Sequence, residues 1–420
     1  RTPGNPGEFD EDAWYRAENV DFQVKSARIT LEDGTTDWPA EWLHRIREAM
    51  KDRLSLTASR DDYGILLSLL LGDRSELPGD VSAQYRQAGV FHILAISGLH
   101  ISLIGMACYR LLRRLRLPAV PAALLGSLVM TGYVLMAGGS PSAVRALILY
   151  AAAVFAPAAG RTYDMLSALG LAGLLILWEQ PMQLLQVGFQ LSFACAAALA
   201  AAVPLFGPLV RKKTAPAAEA GNLFVCTAVI SLVTMPICAW HFFEISLAGL
   251  AANLLILPLA GCLLLSGLLG LLAAFFSVPA GIFVLGSGHA VLAWYRIVTG
   301  VLSRVSALQF VTGRPRPGQI AVYYSLLLAF LFLRGRNRRR ERRRLLQHGA
   351  PAGAASAAGS LPLLKKSLFY LGWLPLLLAG VRLLKRRVPA GLVLTSLDVG
   401  QGDCSVWQLP DGEVFLMDCG

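Results

Sequence analysis

Apolar blocks of about 17–25 residues recur along most of this chain, the length that carries a helix across a bilayer core. A helix that is apolar all round needs hydrocarbon or a very large protein core around it. No soluble fold buries this many such helices. Composition agrees: 55% of the 420 residues are hydrophobic and only 15% are charged, against roughly 25% in soluble proteins. The mean hydropathy is +0.55. The fold class is therefore mainly α, a polytopic helical membrane bundle of about ten spans.

The expected spans centre on 90–109, 118–137, 142–159, 163–178, 187–206, 222–243, 246–276, 279–302, 319–333 and 367–384. The seventh is too long for one straight helix and contains Pro258, so it reads as broken, tilted or partly re-entrant. Ile65–Leu71 is apolar but too short to span.

The net charge of +11 is unevenly spread. Eight arginines fall in Arg334–Arg344, four at Arg110, Arg113, Arg114 and Arg116, and a third cluster is Arg211, Lys212 and Lys213. With the Arg110–Arg116 loop in the cytoplasm and the sides alternating, Arg161 and the other two clusters are cytoplasmic as well. Arg304, Arg314, Arg316 and Lys385–Arg387 are the exceptions. Retention of basic loops accounts for the clusters, and contact with nucleic acid or anionic lipid is compatible with it.

Before the spans, residues 1–40 alternate like the last strands of a small β domain, and residues 41–87 hold an amphipathic, interfacial helical segment. The bundle occupies 88–333. A basic loop and low-complexity linker fill 334–366, a last helix 367–390, and a β-rich segment 391–420. Both ends read as cut, so the chain is expected to be a piece of a longer protein. The seven cysteines show no metal or disulfide spacing, which leaves a Cys404–Cys419 pair open.

Polar residues inside apolar runs mark a partner, a cavity or a path. Ser97, Gly98 and His100 lie in the first span, with Ser97 and His100 three apart on one helical face. Arg145 lies about one turn inside the third, Gln190 and Ser192 fall in the fifth, and Asn253 in the seventh. Each has a plainer account: a packing patch for Ser97–His100, snorkelling for Arg145, a tie between helices for Gln190. His241 and Glu244 read as interfacial and solvated. Near the C-terminus, Asp398, Gln401, Asp403 and Asp418 sit on a strand–turn–strand unit. The six histidines show no metal-ligand spacing, so no residue is assigned to a metal, and no catalytic residue is assigned.

Five stretches taken together resemble the ComEC family of competence proteins. They are Leu69–Arg74, Ala88–His100, Ser140–Ala146, Val187–Phe193 and Gly249–Pro258. The resemblance implies an N-terminal OB-type β domain, of which 1–40 is the end, and a C-terminal metallo-β-lactamase-like domain, of which 391–420 holds the first strands. It implies a channel in the bacterial cytoplasmic (inner) membrane that passes single-stranded DNA during natural transformation. Ser97, Gly98, His100, Arg145, Gln190, Ser192 and Asn253 would line the path or touch DNA. An extracytoplasmic DNA receptor and a cytoplasmic ATP-driven helicase are implied partners, alongside the lipid bilayer. No cofactor is expected in this stretch of chain, while the resemblance implies zinc or manganese, and a metal-dependent nuclease activity, for the full C-terminal domain only. The competing functions are a membrane-anchored metal-dependent hydrolase or nuclease and a secondary transporter of a small anionic solute.

Overall fold

The computed structural model describes residues 15–16, 38–206, 216–347, 373–385, 391–397, 404–409 and 414–417. The expected β remnant in 1–40 lies almost wholly outside the described residues. So do Arg211–Lys213, the linker, Asp398, Gln401, Asp403 and Asp418.

Three short helices come first: α1 (Trp38–Thr57), α2 (Arg60–Leu71) and α3 (Gly79–Gln87). Trp38 and Trp42 stay exposed on α1, while Leu54 is buried. Every residue of α2 from Gly64 to Leu71 is buried, so the apolar run too short to span is a core helix. The bundle follows as α4 (Gly98–Arg114), α5 (Ala119–Met136), α6 (Pro141–Ala158), α7 (Met165–Glu179) and α8 (Val187–Ala197). It continues as α9 (Pro216–Phe242), α10 (Ala248–Phe276), α11 (Val278–Ser303), α12 (Pro317–Gln347) and α13 (Trp373–Leu384). A π turn (Ala198–Ala202) and a 3₁₀ turn (Val203–Phe206) extend α8.

Among the described residues, seven helices are long and apolar enough to cross a membrane, and their bounds match seven of the expected spans. The other three differ. Residues 90–109 do not form one helix: a 3₁₀ turn (Phe91–Leu94) precedes α4, which starts at Gly98. The described apolar parts of the fourth and tenth are short, Met165–Glu179 and Pro375–Leu384. At 1.5 Å per residue the former covers about 22 Å, less than the hydrocarbon core.

Of the readings offered for the seventh span, broken and re-entrant are corrected, and one long helix is what a tilted span needs. α10 runs unbroken through Pro258. Proline frees the carbonyl four residues back, which is costly in hydrocarbon unless neighbours repair the ladder. Trp294 Nε1 and Tyr295 Oη on α11 donate to Leu255 O (3.2 Å) and Ile256 O (2.9 Å), beside that gap.

Three apolar cores hold the bundle. Leu66, Leu70, Ile256, Leu263 and Tyr295 join α2 to α10 and α11. Val225, Leu232, Tyr323 and Leu377 join α9, α12 and α13. Ile101, Met130, Tyr150 and Val154 join α4, α5 and α6. Outward positions stay apolar, as at Leu128, Leu174 and Phe283, which suits a lipid-facing surface.

The β elements are small. β1 (Glu244–Ser246) pairs antiparallel with β2 (Gln309–Val311), Ile245 opposite Phe310. Near the C-terminus, β3 (Val393–Leu397), β4 (Cys404–Gln408) and β5 (Val414–Met417) form an antiparallel sheet in that order. This agrees with the strands read from the sequence there. Cys404 is disulfide-bonded.

Candidate functional site

α4 begins where it does because Ser97 caps it. Ser97 holds extended backbone, φ −114° and ψ 171°, as an N-cap residue does. Its N–H donates to His100 Nδ1 at 3.1 Å, and its Oγ lies 3.0 Å from the same nitrogen. Ser97 and His100 therefore form a cap at the helix start, not two positions on a mid-span face. Nδ1 accepts the backbone N–H, so the neutral ring carries its proton on Nε2. Nε2 is buried with no hydrogen-bond partner among the described residues, in a side chain only 4% exposed.

Pro141, pre-set for a first helical turn, opens α6, and Arg145 follows one turn in. Arg145 does not snorkel. It is 8% exposed, and its Nη1 donates to Ser192 O on α8 at 2.7 Å. Its Cζ lies 5.9 Å from the Phe193 ring centroid. Its Nη2 faces the first turn of α4: a Cβ added to Gly98 would sit 3.7 Å from it. Arg145 Nε and Ser192 Oγ are both buried without partners among the described residues. Among the described residues no carboxylate pairs with Arg145. A buried cation that is hydrogen-bonded but not neutralised is costly in a bilayer, and such residues mark paths for charged solutes.

Gln190 on α8 donates from Nε2 to Leu184 O at 3.0 Å, and its Oε1 lies 2.9 Å from His241 Nε2 on α9. It ties helices together, as its plainer account supposes. His241 belongs to the group although it reads as solvated in the sequence. Only its position at a helix end hinted at a shared level with Gln190. Asn253 stands apart on α10: its Oδ1 is buried and unpartnered, and among the described residues no hydrogen bond joins it to α4, α6 or α8.

Ser97, Gly98, His100, Arg145, Gln190 and Ser192 thus gather at one end of the bundle, where α4, α6 and α8 begin and α9 ends. Arg110–Arg116, Arg161 and Arg334–Arg344 lie at or beyond the other ends of α4, α6 and α12. Among the described residues no three His, Cys, Asp or Glu side chains gather as a metal site.

A sequence family described as Competence protein matches residues 69–337, more than half of the chain. The chain belongs to the ComEC family of competence proteins. With its apolar helices, that makes it a membrane protein. The ComEC match contains all six gathered residues, Asn253 and His241.

Three relatives share this region. ComE operon protein 3 of Bacillus subtilis is 25% identical over 333 residues, 78% of this chain and 41% of that protein. Competence protein ComA of Neisseria gonorrhoeae is 28% identical over 201 residues, covering 46% and 29%. Recombination protein 2 of Haemophilus influenzae is 26% identical over 330 residues, covering 73% and 38%. The chain spans less than half the length of these relatives. No solved structure matches it.

Proposed function

We propose that the bundle is the conduit by which single-stranded DNA crosses the cytoplasmic membrane during transformation. The observation that carries this reading is the group of donors at one bundle end. Arg145 Nε and His100 Nε2 are buried and have no acceptor among the described residues. A polyanion supplies acceptors without regard to base sequence. Hydrocarbon excludes phosphates, so a path through it must be closed and polar, with cationic guides. Membership of a competence family supports DNA as that polyanion.

The basic residues at the opposite end favour a cytoplasmic placement there, which makes the Arg145 end the entrance. Movement in one direction needs an energy source, and the sequence holds no G-x-x-x-x-G-K-[ST] loop. The reading therefore calls for an ATP-driven helicase inside and a DNA receptor outside. Zinc or manganese remains a proposal for the full C-terminal domain only.

Entry of labelled DNA into a nuclease-protected cytoplasmic fraction tests it, using the full-length protein in its own cells. Arg145→Gln and His100→Ala should each lower entry at least tenfold with protein levels unchanged, and Arg145→Lys should retain more entry than Arg145→Gln. Wild-type entry in both Arg145→Gln and His100→Ala would remove these residues from the path. Wild-type entry without the protein, in cells holding no second copy, would end the conduit reading.

A further inference from the structure

Arg74 and Arg86 both pack on one phenyl ring. Their Cζ atoms lie 5.1 Å and 5.3 Å from the Phe91 centroid. A third guanidinium, that of Arg314, sits 4.0 Å from the Trp240 ring centroid. All three arginines are exposed, and the two rings are half-buried.

These stacks share the Arg145 end of the bundle. Phe91 lies in the 3₁₀ turn that leads to Ser97. Trp240 immediately precedes His241, which meets Gln190. The β1–β2 ribbon connects the two stacks. Ser246 Oγ and Gln309 Nε2 donate to Gln87 O, next to Arg86, at 3.1 Å and 3.3 Å. Thr312 N–H and Gly313 N–H donate to Phe243 O, near Trp240 and Arg314, at 2.9 Å and 3.1 Å.

Their charge is unspent. Several other cations are taken up by carboxylates: Arg45 by Glu41, Arg47 and Lys51 by Asp73, Arg296 by Asp61 and Asp62. Among the described residues, Arg74, Arg86 and Arg314 have no such partner. A ring holds a guanidinium in place through its quadrupole without neutralising it. The result is a fixed cation with an exposed planar group beside an aromatic face. Single-stranded nucleic acid fits that pairing, since phosphates meet the cations and unpaired bases stack on the planes. A duplex hides its bases, and lipid headgroups offer phosphate with nothing flat to stack.

We infer that the Arg74–Phe91–Arg86 stack and the Arg314–Trp240 stack form an entry rim that takes single-stranded DNA by phosphate pairing and base stacking, and delivers it towards Arg145. This rests on the conduit reading and goes beyond it by assigning the first contact.

Two measurements on the full-length protein test the rim. The first is binding of fluorescent oligo-dT to protein in zwitterionic-lipid nanodiscs. Each phosphate contact to a single strand contributes about −0.7 to the salt slope of log K. The triple variant Arg74→Gln, Arg86→Gln, Arg314→Gln should therefore flatten the slope by about 2. The second places a photo-crosslinking phenylalanine analogue at Phe91 or at Trp240 in cells taking up labelled DNA. Both positions should crosslink to DNA, and lipid-facing Leu128 should not. An unchanged slope in the triple variant overturns the rim. So does crosslinking to lipid alone at both positions while DNA still enters, an outcome that leaves the conduit reading standing. Undiminished DNA entry in cells lacking the protein overturns both.

Discussion

Asp73 shows how single residues hold the helices outside the spans. Lys51 Nζ lies 2.9 Å and Arg47 Nη2 3.2 Å from its Oδ2. The Lys51 hydrogen bond, helped by the Ser75 backbone N–H, holds the Asp73 carboxyl well below the usual carboxylate range. The same bond raises Lys51 above the ordinary ammonium range. A carboxyl more acidic folded than unfolded stabilises above its unfolded value, near pH 3.9, and loses that share as pH falls through the folded value. The raised lysine works from the other side, its share fading as pH rises above about 10.4. Between those limits the pair stabilises the contact of α1 with the turn after α2. Thermal unfolding in detergent should show the wild type losing more stability than Asp73→Asn between pH 7 and pH 3. Parallel profiles would mean that the pair adds nothing. Residue types were legible from the sequence here and at Arg145, because a charge in an apolar run is conspicuous. Direction was not. Whether Arg145 reached the interface or turned inward depended on Ser192 O, forty-seven residues away.

Helices were legible as elements because a bilayer imposes their length, and seven of the expected spans match within a few residues. The misreadings fall where local chemistry overrides hydropathy. Ser97 caps a helix inside an apolar run, and side chains of α11 mend α10 around Pro258. How elements meet is set by small residues, which carry no hydropathy signal of their own. Tyr150 of α6 enters a notch made by two glycines. Its Oη donates to Gly105 O of α4 at 2.9 Å. A Cβ at Gly105 would stand 2.8 Å from the ring, and one at Gly126 of α5 2.7 Å from the hydroxyl. The ring is thus pinned between two backbones and cannot swing aside. Gly105→Ala should gain about 1 kcal/mol of helix propensity but lose more to overpacking, which costs about 1–3 kcal/mol. Denaturant unfolding in detergent should show a net loss that shrinks when Tyr150 is also changed to Leu. An equal loss in both backgrounds would mean that the notch does not control this packing.

At the scale of the molecule, the three cores leave the polar group between them. Arg145 rises from the α4–α6 core and bonds across to α8, whose π-turn extension packs with α9 and α12. A link between separate cores can change without unfolding either, as a path that opens for a solute requires. The direction of the proposed path depends on which end faces out. Arg110–Arg116, Arg161 and Arg334–Arg344 argue that the Arg145 end is outside, while Arg304, Arg314 and Arg316 run against the rule. The inferred rim gives Arg314 a reason to stand on the outer side despite its charge. Cysteine labelling decides the orientation. In full-length protein with the free cysteines Cys108, Cys195, Cys226, Cys238 and Cys262 replaced by alanine, Ser140→Cys should react with an impermeant maleimide in intact cells. Arg114→Cys and Arg161→Cys should react only after permeabilisation. The reverse pattern would put Arg145 and both stacks in the cytoplasm, where incoming DNA would meet them last, and neither the entrance nor the rim would stand.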